Sequence, residues 1–101
     1  MSEPTIAEIQ SAVAAAFGVS VHNLTGHRRY QGIAKPRQAG YLLAYEMTGK
    51  TLPQIGRAFG GRDHSTIMHG IKEAAAERER DPCFANLVEE ARLCLRKKVY
   101  R

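Results

Sequence analysis

A double glycine, Gly60-Gly61, separates two segments whose apolar residues recur every three or four positions. That spacing marks amphipathic helices. A glycine in a helix interior costs about 1 kcal/mol against alanine, so the pair falls between helices rather than inside one. The chain must break one helix at Phe59 and start another almost at once. Asp63 supplies the start, because an aspartate side chain is a favoured N-cap. Upstream, Thr51-Leu52-Pro53-Gln54 matches a capping box, with Thr51 as cap and Gln54 three residues on. Two helices, about 51–59 and 64–80, joined by Gly60-Gly61-Arg62-Asp63, have the shape of a helix-turn-helix.

The rest of the chain is also helical in its spacing. Ile6, Ile9, Val13 and Phe17 predict a first helix from about Pro4 to Phe17, ended by Gly18. Ser20 caps a short turn reaching Leu24. Lys35-Pro36 marks another start, since proline is tolerated in a first turn; Ala39, Leu42, Leu43 and Met47 form that helix's buried face, and Gly49 closes it. Leu52, Ile55 and Phe59 carry the short helix before the double glycine. Ile67, Ile71, Ala74, Ala75 and Arg78 form the inner stripe of the helix after it. Asp81-Pro82 repeats the cap-and-proline signal before a final helix bearing Phe84, Leu87, Val88, Ala91, Cys94 and Leu95. No segment alternates with period two long enough for a strand. The expectation is an all-α compact bundle of about five to six helices containing a helix-turn-helix. It forms a single domain over residues 1–101, with a basic loop at 26–35, the helix-turn-helix at about 51–80 and the C-terminal helix at about 82–98.

Several function classes are set aside. Hydrophobic residues make up 44% of the chain and charged residues 25%, the balance of an ordinary globular domain. No apolar run approaches the roughly 18–20 residues needed to cross a bilayer, and Met1-Ser2-Glu3-Pro4 lacks a basic-then-apolar leader, so a cytoplasmic location is expected. Ala44 to Thr51 ends in Gly-Lys-Thr like a P-loop, but it follows a helix and precedes Pro53, so no nucleotide is expected. His64 and His69 lie five apart and do not converge on a helix, and no metal or other cofactor is implied. Asp63-His64-Ser65 has triad residue types, but neighbours in sequence cannot form the relay a triad needs. The chain reads as a non-enzyme. Cys83 and Cys94, on one predicted helix, are about 16 Å apart at the usual rise, too far to pair; both read as reduced, buried or half-buried packing residues. Tyr30, Tyr41, Tyr45 and Tyr100 likewise read as packing residues.

Charge points to nucleic acid. The net charge is +5, and its distribution matters more than its size. Residues 27–38 hold Arg28, Arg29, Lys35 and Arg37 with no acid, and residues 96–101 form a second basic cluster. In a helix-turn-helix the second helix enters the major groove with its first turn against base edges. Asp63 there can accept from cytosine N4, beside its role as cap. His64 and Ser65 lie next to it, with Thr66 and His69 placed for phosphates at a helix start that favours anions. Arg28 and Arg29, on a loop, suit an adjacent minor groove. Arg37 and Gln38, at a second helix start, suit phosphates.

Three segments, Ala34-Lys35-Pro36-Arg37-Gln38, Leu52 to Phe59, and Gly60-Gly61-Arg62-Asp63-His64-Ser65-Thr66, together resemble the C-terminal DNA-binding domain of the bacterial chromosomal replication initiator DnaA, a Trp-repressor-like helical fold. The resemblance runs from about Ile6 to Leu95. It implies binding of double-stranded DNA at a DnaA-box-like element, in replication initiation or its regulation, and a nucleoid-associated location. It implies base reading by Arg29, Asp63, His64 and Ser65, with Arg28, Lys35, Arg37, Gln38, Thr51, Arg62, Thr66 and His69 on the DNA backbone. The sequence departs from the family at Gln31, Gly32 and Tyr45, where more polar or basic residues are common. It departs again at Ser65, where the commoner threonine would add a methyl. The ATPase module of a full initiator is not part of the resemblance, so no ATP hydrolysis or origin melting is expected of the chain alone. The start Met1-Ser2-Glu3-Pro4 and the basic tail suit a free-standing relative more than an excised domain. The full-length initiator is a second expected partner, and a protein-interaction module that regulates it without specific DNA binding is the alternative function.

Overall fold

The computed structural model describes residues 3–99 and contains six helices: α1 (Ile6–Phe17), α2 (Val21–Thr25), α3 (Ala34–Thr48), α4 (Leu52–Ala58), α5 (His64–Arg80) and α6 (Pro82–Val99). Among the described residues there is no strand, and no helix is long and apolar enough to cross a membrane. The first helix starts later than Pro4, because Thr5 and Glu8 form a capping box: the Thr5 hydroxyl accepts from Glu8 N at 3.1 Å and Glu8 Oε1 accepts from Thr5 N at 2.8 Å. Ser20, Thr51 and Asp63 cap α2, α4 and α5 as their sequence positions indicate. Gly18 and Gly49 follow the ends of α1 and α3.

Helix α3 is the centre of the bundle. It packs on α5, α1, α4 and α6, so almost all of its middle is buried, from Ala39 through Ala44, rather than one stripe. Its Tyr41 ring meets Phe59 edge-on, with centroids 5.0 Å apart and planes at 89°. Gly70 of α5 lets the two helices close in, since a Cβ there would lie 2.5 Å from the Tyr41 ring. Ile9, Val13, Leu24, Leu43, Ile55, Phe59 and Ile67 complete the interior. Helix α6 adds Phe84, Val88, Ala91 and Leu95, at steps of four, three and four. An ion network closes the far side: Glu46 of α3 accepts from Arg78 of α5 at 3.0 Å and from Arg92 of α6 at 2.7 Å.

Two packing expectations fail. Cys83 and Cys94 are both exposed; each lies one position before a buried residue of the α6 seam, Phe84 and Leu95, and so points off it. Tyr41 is buried, but Tyr30 and Tyr45 remain 44% and 54% exposed, being on the outer loop and the outer face of α3. Tyr100 lies outside the described residues.

Candidate nucleic-acid interface

The turn between α4 and α5 is built on close approaches. Gly60 and Gly61 take φ of 94° and 82°, a region open to glycine and strained for other residues. The chain then folds back on α4, where Gly56 O accepts from Gly61 N at 3.0 Å and from Arg62 N at 2.9 Å. A Cβ at Gly56 would sit 2.1 Å from Arg62 O, so only glycine permits this return. Phe59, fully buried, anchors the turn to the core. Asp63 is extended, and its Oδ2 accepts from Ser65 N at 3.1 Å. The Ser65 hydroxyl, then its backbone N–H, hold the Asp63 carboxyl below the ordinary aspartate value, so it is anionic at neutral pH. The second oxygen, Oδ1, lies 3.5 Å from His64 Nδ1. The carboxylate is therefore a cap on a side chain that stays exposed.

Helix α5 turns its buried residues Ile67, Gly70 and Ala74 inward. With about 100° per residue, the arc opposite them holds His64, Ser65, Met68, His69 and Lys72, all exposed. Met68 and Lys72 fall between His64 and Ser65 around the helix, at the middle of the outward face. Sequence reading passed over both, although the signal was there: Met68 is four residues after His64, and Lys72 four after Met68. A methionine left 41% exposed on this arc puts an apolar, polarizable side chain among polar ones.

The loop before α3 comes to the same side. Arg28, Arg29 and Tyr30 are exposed. Arg29, Gln38 and Arg62 line one open cleft with Thr66 and His69, about 310 Å³ in volume. The structure thus brings a loop arginine, the start of α3 and the first two turns of α5 around one space. Thr51 is exposed, its hydroxyl accepting from Gln54 N at 3.3 Å.

Three of the expected DNA-backbone residues also make contacts within the protein, and two of them, Arg37 and Arg62, line the same cleft. Lys35 Nζ is 2.8 Å from Glu77 Oε2 and 4.0 Å from Asp81, toward the far end of α5 and away from the cleft lining; the Glu77 bond raises its pKa. Arg37 is only 8% exposed. Its Nη2 donates to the carbonyls of Asn23 (2.8 Å), Gly26 (2.9 Å) and Arg28 (2.7 Å), and its Nε to that of Leu24 (3.3 Å). Nε and Nη2 are thus engaged with the protein's own backbone, while Arg37 also lines the cleft. Arg62 donates from Nη2 to Gly26 O at 2.6 Å and from Nη1 to Phe59 O. Apart from Phe59 O, three residues away, these are long-range contacts that local sequence does not announce.

The chain matches the family of the bacterial dnaA protein helix-turn-helix over residues 6–74. It is similar to the chromosomal replication initiator protein DnaA of Caulobacter sp. (strain K31), 42% identical over 85 residues, which is 84% of this chain and 18% of that protein. The DnaA of Wolbachia sp. subsp. Brugia malayi is 40% identical over 88 residues, 87% of this chain and 19% of the relative. That of Cereibacter sphaeroides (strain ATCC 17029 / ATH 2.4.9) is 48% identical over 69 residues, 68% of this chain and 15% of the relative. The aligned stretches thus span less than a fifth of these relatives. The chain belongs to the bacterial DnaA helix-turn-helix family.

Proposed function

We propose that this member of the DnaA helix-turn-helix family binds double-stranded DNA sequence-specifically, at DnaA-box-like elements, as one reading module over residues 1–101. Its setting is replication initiation or its regulation, for instance by occupying sites that an initiator would use. The first turn of α5 lies in the major groove, where Asp63, His64 and Ser65 meet base edges. Arg29 enters the neighbouring minor groove. Thr66, His69, Gln38, Arg28 and Thr51 hold the DNA backbone. Met68 gives the reading face an apolar contact for a thymine methyl, which Ser65 lacks, and Lys72 adds a phosphate contact farther along the helix. The observation that carries this reading is the shared cleft: Arg29 of the loop and Thr66 and His69 of α5 face one space, as a DNA strand running between two grooves requires.

Fluorescence anisotropy tests it, with a short duplex bearing a DnaA box and a scrambled duplex at near-physiological salt. The expected preference is about a thousandfold, the low end for specific DNA-binding proteins. Equal, weak and salt-sensitive binding to both duplexes would overturn the reading.

A further inference from the structure

Between the loop and the helix-turn-helix lies a shared carbonyl. Helix α2 is only five residues long, and the last carbonyls of any helix lack partners within it. Here Arg37, reaching from α3, takes up Asn23 O and Leu24 O together with Gly26 O and Arg28 O farther along the chain. Gly26 O also accepts from Arg62, at 2.6 Å, and Arg62 is in the α4–α5 turn. The turn lies tight against this backbone: a Cβ on Gly60 would be 2.0 Å from Thr25 O. Two guanidinium groups thus converge on one carbonyl, Arg37 with no acidic hydrogen-bond partner among the described residues. Burial, then the neighbouring Arg62, lowers the Arg37 pKa, so like charges are held together here against their repulsion. A planar fork with several fixed donors can span these acceptors; an ammonium is a single point charge and cannot do so in the same way.

We infer that Arg37 and Arg62 are positioning residues that bolt the Arg28–Arg29 loop to the helix-turn-helix turn through the Gly26 carbonyl, setting the register between minor-groove and major-groove contacts. This rests on the DNA-binding reading above. Arg37 fixes the carbonyl of Arg28, and hence the residue that follows it, Arg29. The described backbone bonds inside the loop are few, Ile33 N to Tyr30 O at 3.2 Å among them, so its first half depends on these two side chains. With the bolt removed, Arg29 must be ordered at the moment of binding, which weakens binding by up to about tenfold for one long side chain.

The test uses the full chain with Arg37→Lys and Arg37→Gln, checked for folding by circular dichroism and thermal melting, and three duplexes. The first carries the cognate box. The second replaces one adenine in the minor-groove segment by 2,6-diaminopurine, which adds an amino group to the minor groove. The third changes a base pair facing Asp63. Both Arg37 variants are expected to bind the cognate box up to about tenfold more weakly and to lose the diaminopurine penalty, while keeping discrimination at the Asp63 position. Adding Arg29→Ala to either should cost little more, because residues acting as a unit are not additive. Rescue by lysine with the diaminopurine penalty intact would show a phosphate clamp and overturn the proposal; so would additivity with Arg29→Ala. If the Arg37 variants do not fold, Arg62→Lys carries the same two readouts. A parent chain that prefers no site refutes the DNA reading itself, and is told apart from these outcomes by the first duplex alone.

Discussion

Asp63 has an observed role as a cap and a proposed role as a base reader, and a pair of substitutions separates them. As the N-cap of α5 its carboxylate accepts from Ser65 N at 3.1 Å. Removing such a cap costs about 1 kcal/mol, which lowers the melting temperature of a chain this size by roughly 4–8 °C. As the proposed base reader it has a side chain 66% exposed, with the second oxygen 3.5 Å from His64 Nδ1. A good base contact is worth about 1–3 kcal/mol, or roughly 5- to 150-fold in affinity. Asp63→Asn keeps the capping oxygen, because asparagine caps as well as aspartate, but it replaces one acceptor by a donor. Asp63→Ala removes both functions. Melting followed by circular dichroism should therefore show alanine destabilised and asparagine close to the parent. Anisotropy should show both variants losing preference for the cognate duplex while binding scrambled DNA nearly as before. If asparagine and alanine kept the parent's preference while alanine alone melted earlier, Asp63 would be a cap only, and the assignment of the first turn of α5 to the major groove would lose its main support.

Further outcomes follow from the packing and the charges. Gly60→Ala and Gly61→Ala both force a side chain into positive φ, at roughly 1–2 kcal/mol each. Only Gly60 also meets a backbone oxygen, Thr25 O at 2.0 Å, whereas nothing lies within 4 Å of a Gly61 Cβ; urea titration should rank Gly60→Ala as clearly the less stable, and equal midpoints would contradict the close approach. Burial raises the Glu46 carboxyl, but the bonds from Arg78 and Arg92 outweigh it and hold it below the ordinary value of 4.5. Its stabilising contribution is then present above that value and lost as the pH falls through the lower folded one. Glu46→Gln should cost about 1 kcal/mol at neutral pH, as for partly exposed pairs, and the gap to the parent should close in acid; a gap independent of pH would refute the role of charge. Met68→Ala should weaken cognate binding about fourfold, the worth of one buried methyl. Replacing the contacted thymine by deoxyuridine should weaken the parent but not the variant, and equal loss in both would remove Met68 from the reading face.

What the sequence disclosed was local. Helix starts were legible where a short polar residue stands before an apolar repeat, as at Ser20, Thr51 and Asp63, and helix ends where glycine follows, as at Gly18 and Gly49. Thr5 and Glu8 carry the same signal, which apolar spacing alone does not register, so the start at about Pro4 falls early. Solvent exposure near a seam was harder: Cys94 sits beside Leu95, and a shift of one position, about 100° around the helix, separates the buried side from the open one. The outward arc of α5 was readable from spacing, yet Met68 was missed because apolar residues are assigned inward by default. Arg37 could not be read locally at all. Its backbone partners lie 9 to 14 residues back along the chain, and a guanidinium that binds carbonyls looks in sequence like one that binds phosphate.

The central claim is that the loop around Arg29 and the first turns of α5 form one DNA-reading face. Amide chemical-shift mapping of the labelled chain, titrated with a DnaA-box duplex, tests it most directly. The account predicts that the largest changes fall together on residues 28–30 and 62–69, while the outward side of α6, at Cys83 and Cys94, stays unchanged. Changes concentrated on α6, or confined to α5 with the loop silent, would contradict it.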